Sequence, residues 1–486
     1  MKLIVLKVLY IAALILSVYP VYSQHAAVYF SSLSSENYKP QLAQLRSRSA
    51  KILYDNKKEQ KSYSEFVKEA DKYVADALEN DEVIFDTLLL NRCEAVKRKL
   101  QFANQGFPFD SLHMYLNRSS VPNAYAIGES GSIFINLGLL LWLDNDEELA
   151  IVLGHEFAHY FLHHFDKAIA KNITTFASED FQQEIKFIKK SHDGKYERFK
   201  ALVKDLKVNN GKHSRFKEKE ADSLSAVFLT RAGYDINKAA LGILQLDHVD
   251  EIFTAENFYN VKNTFEKAVV NDYAFREKKR YNGLSAITVT MNADADFDSI
   301  KTHPDCVVRY QGLVPHYTVL PGIVCCKQLT AEYRAVKERA LIEIVRNLYE
   351  TGNLTLCVHF CLFARQNSLT QPPFNYYIAA SFSDMLMADK KLSRFSFTNA
   401  NAAPGSNLKR LQDFIFELNQ ENLKSVAAWF LNHDADITGD DYYFAQLRYD
   451  QAEGTEDPKK LKAAFMSRFP NSKYNYLFLE KKQFNK

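Results

Sequence analysis

Apolar side chains in the first part of the chain follow two different patterns. Between residues 63 and 78 they recur at the spacing of one helical face, at Phe66, Ala70, Tyr73, Val74 and Ala77. Three short extended runs follow, separated by proline and glycine: Leu112 to Leu116, Ala124 to Ile127, and Ile133 to Asn136. The pattern predicts an N-terminal helix and then a small sheet.

A helix of different character is predicted after Asp144. Glu147 follows Asp144 by three positions, which is the spacing of a capping box at a helix N-terminus. The run from Leu149 to Leu162 is apolar nearly all round, so we expect this helix to be buried in a domain core. Another helix should run from about Phe216 to Arg231 and stop at Gly233.

Beyond Pro321 the pattern becomes one of amphipathic helices. The expected helices are Tyr333 to Tyr349, Leu354 to Ala364, Asn375 to Met387 and Leu411 to Leu431. Gly352 and Asn353 separate the first two in the manner of a tetratricopeptide-type repeat, but the segment has no fixed period. A divergent repeat and a plain helical bundle therefore both remain open.

Composition changes this picture in two ways. The 486 residues include Gly 16 and Pro 12, about half the usual shares of roughly 7% and 5%, and this scarcity of turn-forming residues favours helix. Lys+Arg 61 against Asp+Glu 59 leaves a formal net charge of only +2. A chain so balanced has no general field to attract nucleic acid. We therefore expect no nucleic-acid partner.

The first 23 residues have the features of a secretory signal peptide. Lys2 and Lys7 flank the start of an apolar run from Val8 to Val18, and the small residue Ser23 precedes the expected cleavage site. An uncleaved membrane anchor is the alternative, because the apolar stretch approaches the length that spans a bilayer. Cleavage predicts an extracytoplasmic protein, periplasmic or secreted, and membrane association is expected only if the leader stays uncleaved.

The buried helix contains the pattern His155-Glu156-Phe157-Ala158-His159. Two histidines four positions apart project from one helical face about one turn apart, which suits two imidazole ligands on one tetrahedral Zn²⁺. Glu156 can then take a proton from a water molecule at the open coordination position. Because unpaired charge is costly in so apolar a run, the sequence favours one zinc per chain over a chance occurrence.

A catalytic zinc of this type needs a third protein ligand. Leu162 and Phe165 stand where the metzincin pattern requires Gly and His, which excludes that class. Glu179 lies twenty positions after His159, at the thermolysin-type spacing, and is therefore a competitor.

Glu218 is the favoured third ligand. Asp222 follows it by one helical turn, so one carboxylate can bind the metal while the other orients a histidine ligand. Glu179 has Gln183 at the corresponding position. Glu220 remains a minor alternative, because helix phase alone does not exclude it.

With these residues in place, the chain resembles the gluzincin peptidases of family M48. That family includes the CAAX prenyl-protein endopeptidase, the heat-shock membrane protease HtpX and the periplasmic β-barrel-assembly-enhancing protease. The resemblance covers about Leu112 to Val314 and rests on five ordered blocks: Asn123 to Ala126, Gly138 to Leu140, His155 to His159, Glu218 to Asp222 with Ala232 to Asp235, and Thr302 to Pro304 with Arg309. The soluble periplasmic members look closest.

The resemblance implies that His155, His159 and Glu218 bind zinc, that Glu156 is the general base and that Asp222 supports a histidine ligand from outside the metal. An extended substrate would then lie by β-augmentation on an edge strand formed by Ile133 to Asn136.

Three further histidines are interpreted separately. His303 is a candidate gate that would close over the zinc as a removable fourth ligand, and the alternative is a histidine packed beside Pro304. His163 and His164 follow the metal pattern on the same helix and are interpreted as surface residues.

The expected fold is α+β and predominantly helical. A zincin-like metallopeptidase domain with a small sheet is followed by an all-α helical C-terminal region. The predicted segments are a signal peptide (1–23), a helical lead-in (24–100), the metallopeptidase domain (101–320) and the helical domain (321–486). The expected function is zinc-dependent endoproteolysis of unfolded or misassembled extracytoplasmic proteins. The alternative is a quality-control or assembly factor whose C-terminal helices bind client proteins, with proteolysis secondary.

Overall fold

A computed structural model of the protein describes most of the segments for which helices and strands are predicted. The described residues are 38–47, 57–79, 82–178, 215–246, 258–270, 306–314, 329–367, 373–390, 405–432, 439–454 and 456–478, with isolated positions between them. The leader, Glu179 and His303 lie outside these ranges.

Two helices precede the sheet, α1 (Lys39–Ser47) and α2 (Lys57–Glu79). Helix α2 contains the segment predicted from residues 63 to 78 and confirms that prediction. A third helix, α3 (Thr87–Ala103), begins after Asp86, whose side chain accepts a hydrogen bond from the Leu89 backbone N–H and so caps the helix.

The sheet has four strands in the described part of the chain: β1 (Val83–Ile84), β2 (His113–Asn117), β3 (Ala124–Ile127) and β4 (Ser132–Asn136). Their spatial order is β1-β2-β4-β3, with β2 and β4 parallel and the other two pairs antiparallel. The three strands predicted from the sequence are therefore confirmed.

The predicted edge strand is wrong. Residues 133 to 136 belong to β4, which pairs with β2 on one side and β3 on the other. Every residue of β4 is buried, and such an apolar strand is stabilised best in the middle of a sheet, where both of its backbone edges are paired. The free edge on this side belongs to β3.

A short helix, α4 (Leu137–Trp142), leads into the helix that carries the histidine pattern, α5 (Asp146–Phe161). The cap of α5 lies one residue later than predicted: the Asn145 side chain accepts a hydrogen bond from the Glu148 N–H. Asp144 is instead engaged in an ion pair with Lys337, whose Nζ lies 2.6 Å from the carboxylate. Helix α5 is buried along most of its length, as predicted.

Helix α3 packs against α5, and so do three further helices: α6 (His164–Ala177), α7 (residues 215–231) and α8 (Ile236–Gln245). Helix α7 approaches α5 closely at Gly154, where an added Cβ would lie only 2.7 Å from Ser225 Oγ. Helix α7 ends as predicted before Gly233, which has a φ of 70°.

The rest of the described chain is helical. Its elements are α9 (Val261–Phe265), α10 (Cys306–Leu313), α11 (Ala331–Glu350), α12 (Leu354–Gln366), α13 (Pro373–Asp389), α14 (Asn407–Glu417), α15 (Gln420–Asn432), α16 (Asp440–Glu453) and α17 (Pro458–Arg468). Short 3₁₀ turns cover Phe109–Ser111, Gly128–Ser130 and Asn475–Phe478. No helix in the described ranges is both long and apolar enough to cross a membrane.

One predicted C-terminal helix is in fact two. The segment from Leu411 to Leu431 is divided between α14 and α15 at Leu418, whose backbone is extended and whose side chain is buried. Asn419 Oδ1 then accepts from the Asn422 N–H at 2.8 Å, which is a new N-cap. The apolar periodicity continues across the break, so the pattern alone did not reveal it.

Helix α11 joins the helical region to the start of α5. Lys337 is fully buried, and its Nζ donates to Leu141 O at 2.7 Å in addition to pairing with Asp144. Tyr333 donates through its hydroxyl to Asp146 at 2.7 Å. The N-terminus of α5 is therefore held by the helical region, and one apolar core extends through both parts.

Candidate metal centre

Helix α5 places His155 and His159 one turn apart with their rings directed toward one point. The two Nε2 atoms lie 2.9 Å from each other. His155 is 3% exposed, whereas the His159 side chain is 17% exposed. The pattern thus has one inner histidine and one histidine nearer to solvent.

Helix α7 supplies the carboxylate. Glu218 Oε2 lies 3.2 Å from His155 Nε2, and Glu218 Oε1 lies 3.4 Å from His159 Nε2. One ligand atom from each of these three side chains lies within 4.8 Å of the others, and within the described ranges they are the group found able to hold a metal ion. Glu220 does not belong to this group: its carboxylate approaches His164 instead.

Two imidazole nitrogens and one carboxylate oxygen are the donors that catalytic zinc sites of the two-histidine, one-glutamate type use. Glu218 is 7% exposed, and a carboxylate so buried needs a cation or hydrogen-bond donors beside it. The residues present therefore fit a zinc ion.

Asp222 lies one turn after Glu218 on α7 and faces the other nitrogen of His155. Its Oδ1 is 2.8 Å from His155 Nδ1, so the Nδ1–H donates to the carboxylate and Nε2 is left to bind a metal. Arg309, from α10, donates to both oxygens of Asp222, through Nε at 2.9 Å and Nη2 at 2.7 Å. This two-point contact balances the buried negative charge of Asp222.

The charges around His155 alter two pKa values. Burial raises the pKa of Asp222, but hydrogen bonds from Arg309 and His155 outweigh it, so that pKa stays well below its usual range. Burial and Arg309 lower the pKa of His155, but hydrogen bonds to Asp222 and Glu218 outweigh them and raise it to about 9. In the metal-free protein a proton on His155 therefore competes with a metal for the site.

Glu156 lies between the two histidines in sequence and is 4% exposed. Its Oε2 accepts a hydrogen bond from the Ala126 backbone N–H at 3.1 Å. Ala126 belongs to β3, the edge strand beside α5, so the carboxylate is held at the free edge of the sheet. A substrate strand on β3 would lie next to Glu156.

His164 lies where the sequence interpretation did not place it. It is 4% exposed rather than at the surface, and its Nδ1 lies 2.9 Å from Nδ1 of His159. Burial and the charge of Lys217 lower the pKa of His164. His163, by contrast, fits the surface interpretation, since its side chain is 68% exposed.

The contacts made by Arg309, His164 and the Ala126 N–H differ in how far the sequence indicated them. Arg309 is the only charged residue of α10 and follows two valines, so a buried acidic partner was conceivable, but nothing in the sequence identified Asp222 as that partner. His164 had no comparable signal, because its orientation depends on a backbone turn between α5 and α6. The Ala126 N–H had none either, since strand order sets its direction.

The model of Peptidase family M48 matches residues 90–315. This span includes α5, α7 and α10, and with them His155, Glu156, His159, Glu218, Asp222 and Arg309. No curated protein matches the chain.

Proposed function

The chain belongs to peptidase family M48 through residues 90–315, which makes it a metallopeptidase, and we propose that it is a zinc-dependent endopeptidase with Glu156 as general base. The observation that carries this proposal is the cluster of His155, His159 and Glu218 beside the buried Glu156. Members of the family are zinc metallopeptidases, and the donors of this cluster suit that metal.

A zinc ion on His155, His159 and Glu218 would supply Lewis-acid chemistry, polarising the scissile carbonyl and acidifying a water molecule. A carboxylate oxygen of Glu156 takes a proton from that water while the water oxygen attacks the carbonyl carbon of the substrate. It then delivers the proton to the leaving amine nitrogen as the C–N bond breaks. The Ala126 N–H holds the Glu156 carboxylate in place through this cycle.

The proposed substrate site is the free edge of β3. An extended peptide can add to this edge through backbone hydrogen bonds, which bind chains of many sequences. Helix α5 packs against β3, and the contact between Ala126 and Glu156 brings the edge and the catalytic carboxylate together. This choice replaces β4, which is paired on both sides.

The cellular location and the natural substrates of the protein are a further part of the proposal. We propose that the leader directs the protein out of the cytoplasm and that unfolded or misassembled proteins are its substrates, because recognition through backbone groups suits extended chains. The alternative function is binding of client proteins by the C-terminal helices, with proteolysis secondary. A variant without the Glu156 carboxylate distinguishes client binding from proteolysis.

The test compares wild type, Glu156→Gln and Glu218→Ala for bound zinc and for cleavage of unfolded casein. Glu156→Gln should keep its zinc and lose roughly 10²- to 10⁴-fold in rate, since it keeps the shape of the side chain but not the base. Glu218→Ala should lose both zinc and cleavage. Glu147→Gln, on the first turn of the same helix, is the matched control and should behave as wild type.

Three outcomes would contradict parts of the proposal. Wild-type protein that binds no zinc would contradict the proposed metal site. Cleavage by Glu156→Gln at the wild-type rate would contradict the role of Glu156 as the general base. A cellular role that survives in Glu156→Gln would favour the client-binding alternative.

A further inference from the structure

His164 makes a contact with the proposed zinc ligand His159 that the proposed function does not use. Its Nδ1 lies 2.9 Å from His159 Nδ1, and its Nε2 lies 3.4 Å from Glu220 Oε2. The two imidazole rings are nearly perpendicular, with an interplanar angle of 71°. The three side chains form a row that leads from the metal site to the Glu220 carboxylate.

The backbone between α5 and α6 is built to make this contact. His163 has a φ of 54°, in the left-handed region that non-glycine residues rarely occupy. Leu162 is the C-cap of α5 and His163 is the N-cap of α6, so His164 begins α6 instead of continuing the face of α5. Strained backbone of this kind persists where the surrounding structure holds it, and it is frequent at functional sites.

Helix α7 holds the same turn from the other side. Lys217 donates through Nζ to the backbone oxygen of His164 at 2.9 Å. Lys217 immediately precedes the proposed ligand Glu218, and Glu220 follows two positions later. Helix α7, which carries the proposed ligand Glu218, therefore contacts His164 twice: Lys217 binds its backbone oxygen, and Glu220 faces its imidazole ring.

The hydrogen atoms can be placed by considering what a metal requires of His159. Nε2 of His159 points to Glu218 and His155, so it is the nitrogen available to a metal and must carry no proton. Nδ1 then carries the proton and donates to Nδ1 of His164. His164 in turn carries its proton on Nε2, which lies 3.4 Å from Glu220 Oε2, near enough for electrostatic attraction but not in hydrogen-bond geometry.

We propose that His164, oriented by Glu220, is a positioning residue that fixes the ring and the protonated nitrogen of His159 for zinc binding. The proposal rests on the proposed zinc site. In this arrangement a neutral imidazole does for His159 what the carboxylate of Asp222 does for His155. Partners of metal-bound histidines commonly contribute 10- to 100-fold to metal affinity.

The test measures zinc affinity of the full chain by competition with a chelator. His164→Leu removes the acceptor at similar bulk and should weaken zinc binding about 10- to 100-fold. His164→Gln keeps a side-chain oxygen that can accept from His159 and should recover most of that loss. Glu220→Gln should weaken binding only a few-fold, since the Glu220 side chain is 40% exposed and water can take its place.

Two further readouts separate positioning from a loss of fold. Cobalt substituted for zinc should give an altered visible absorption spectrum in His164→Leu, because the direction of His159 toward the metal changes. The melting temperature of the zinc-free protein should change little in the same variant. His163→Asn is the matched control: it alters the neighbouring, exposed histidine with a residue that tolerates a positive φ, and should bind zinc as wild type does.

The outcomes are distinct. Wild type without zinc would overturn both this inference and the proposed function. Zinc-binding wild type with equally tight binding by His164→Leu would overturn only the inference, as would an equal loss in His163→Asn. If His164→Leu does not fold, His164→Phe, which also lacks an acceptor, takes its place, and wild-type zinc affinity in that variant would overturn the inference.

Discussion

The two histidines of the proposed zinc site come from one helix but have opposite surroundings. His155 is buried, and its Nδ1 faces Asp222, which Arg309 holds with two hydrogen bonds. His159 is nearer to solvent, and its Nδ1 faces the imidazole of His164. One ligand is therefore oriented by a buried ion pair and the other by a second histidine.

The difference predicts how much zinc affinity should depend on the residues that orient each histidine. Removing Asp222 would leave Arg309 charged and buried without that carboxylate, which is costly because buried charge is poorly solvated. Removing Glu220 would expose His164 to water, which can accept and donate in its place. We therefore expect the inner histidine to be the more sensitive of the two.

The largest effect is expected for Asp222→Asn. Zinc affinity should fall about 100-fold, because the substitution takes away the charge that orients His155 and balances Arg309. The zinc-free protein should also lose about 3 kcal/mol of unfolding free energy, measured with urea. Asp110→Asn, at an exposed position, is the control. A smaller loss of zinc affinity than in His164→Leu would reverse the comparison.

The next largest effect is expected in the pH dependence of zinc affinity. In the zinc-free protein the pKa of His155 is about 9, above its value of 6.5 as a free side chain. Its contribution to the stability of the zinc-free protein is therefore fully present below pH 6.5 and is lost as the pH rises through 9. Zinc bound at the proposed site would have to displace this proton, so zinc affinity should rise up to about tenfold per pH unit from pH 7 to 9 and then level off.

This pH profile is measured by chelator competition in wild type and in Asp222→Asn. The slope should flatten in the variant, because the hydrogen bond to Asp222 heads the contacts that raise the pKa of His155. Wild-type affinity that stays constant between pH 7 and 9 would mean that the inner histidine does not hold a competing proton.

The smallest effect is expected for Arg309→Lys. The charge beside Asp222 remains, but a lysine cannot donate to both carboxylate oxygens in the fixed geometry of a guanidinium. Zinc affinity should fall only a few-fold, which chelator competition can resolve. Arg231→Lys, at the exposed end of α7, is the control. A loss as large as in Asp222→Asn would show that the two-point geometry, and not the charge, orients His155.

The secondary structure could be predicted where side-chain periodicity carries the information. Helix α2 and strands β2, β3 and β4 lie where the apolar spacing placed them. The break at Leu418 was missed, because apolar positions on either side continue the same helical phase. The cap of α5 was misplaced by one residue, because Asp144 pairs with a lysine almost two hundred positions away.

Strand order could not be predicted in the same way. Each strand has its own alternation, but nothing in that alternation states which neighbour it will have. The parallel pairing of β2 with β4 puts β4 inside the sheet and β3 at its edge. For this reason the proposed substrate strand is β3 and not β4, and it is the Ala126 N–H of β3 that donates to Glu156.

The residues of the proposed metal site could be found from local spacing along the helices. Four positions on a helix are enough to bring His155 and His159 together, and the same spacing joins Glu218 to Asp222, because helix geometry is repetitive and short in range. Arg309 beside Asp222, His164 beside His159 and the edge position of β3 depend instead on how separate elements pack and turn. Asp222 and Arg309 are far apart along the chain, and His159 and His164, although five positions apart, lie on different helices whose relative direction the turn sets, so only the tertiary structure could decide these contacts.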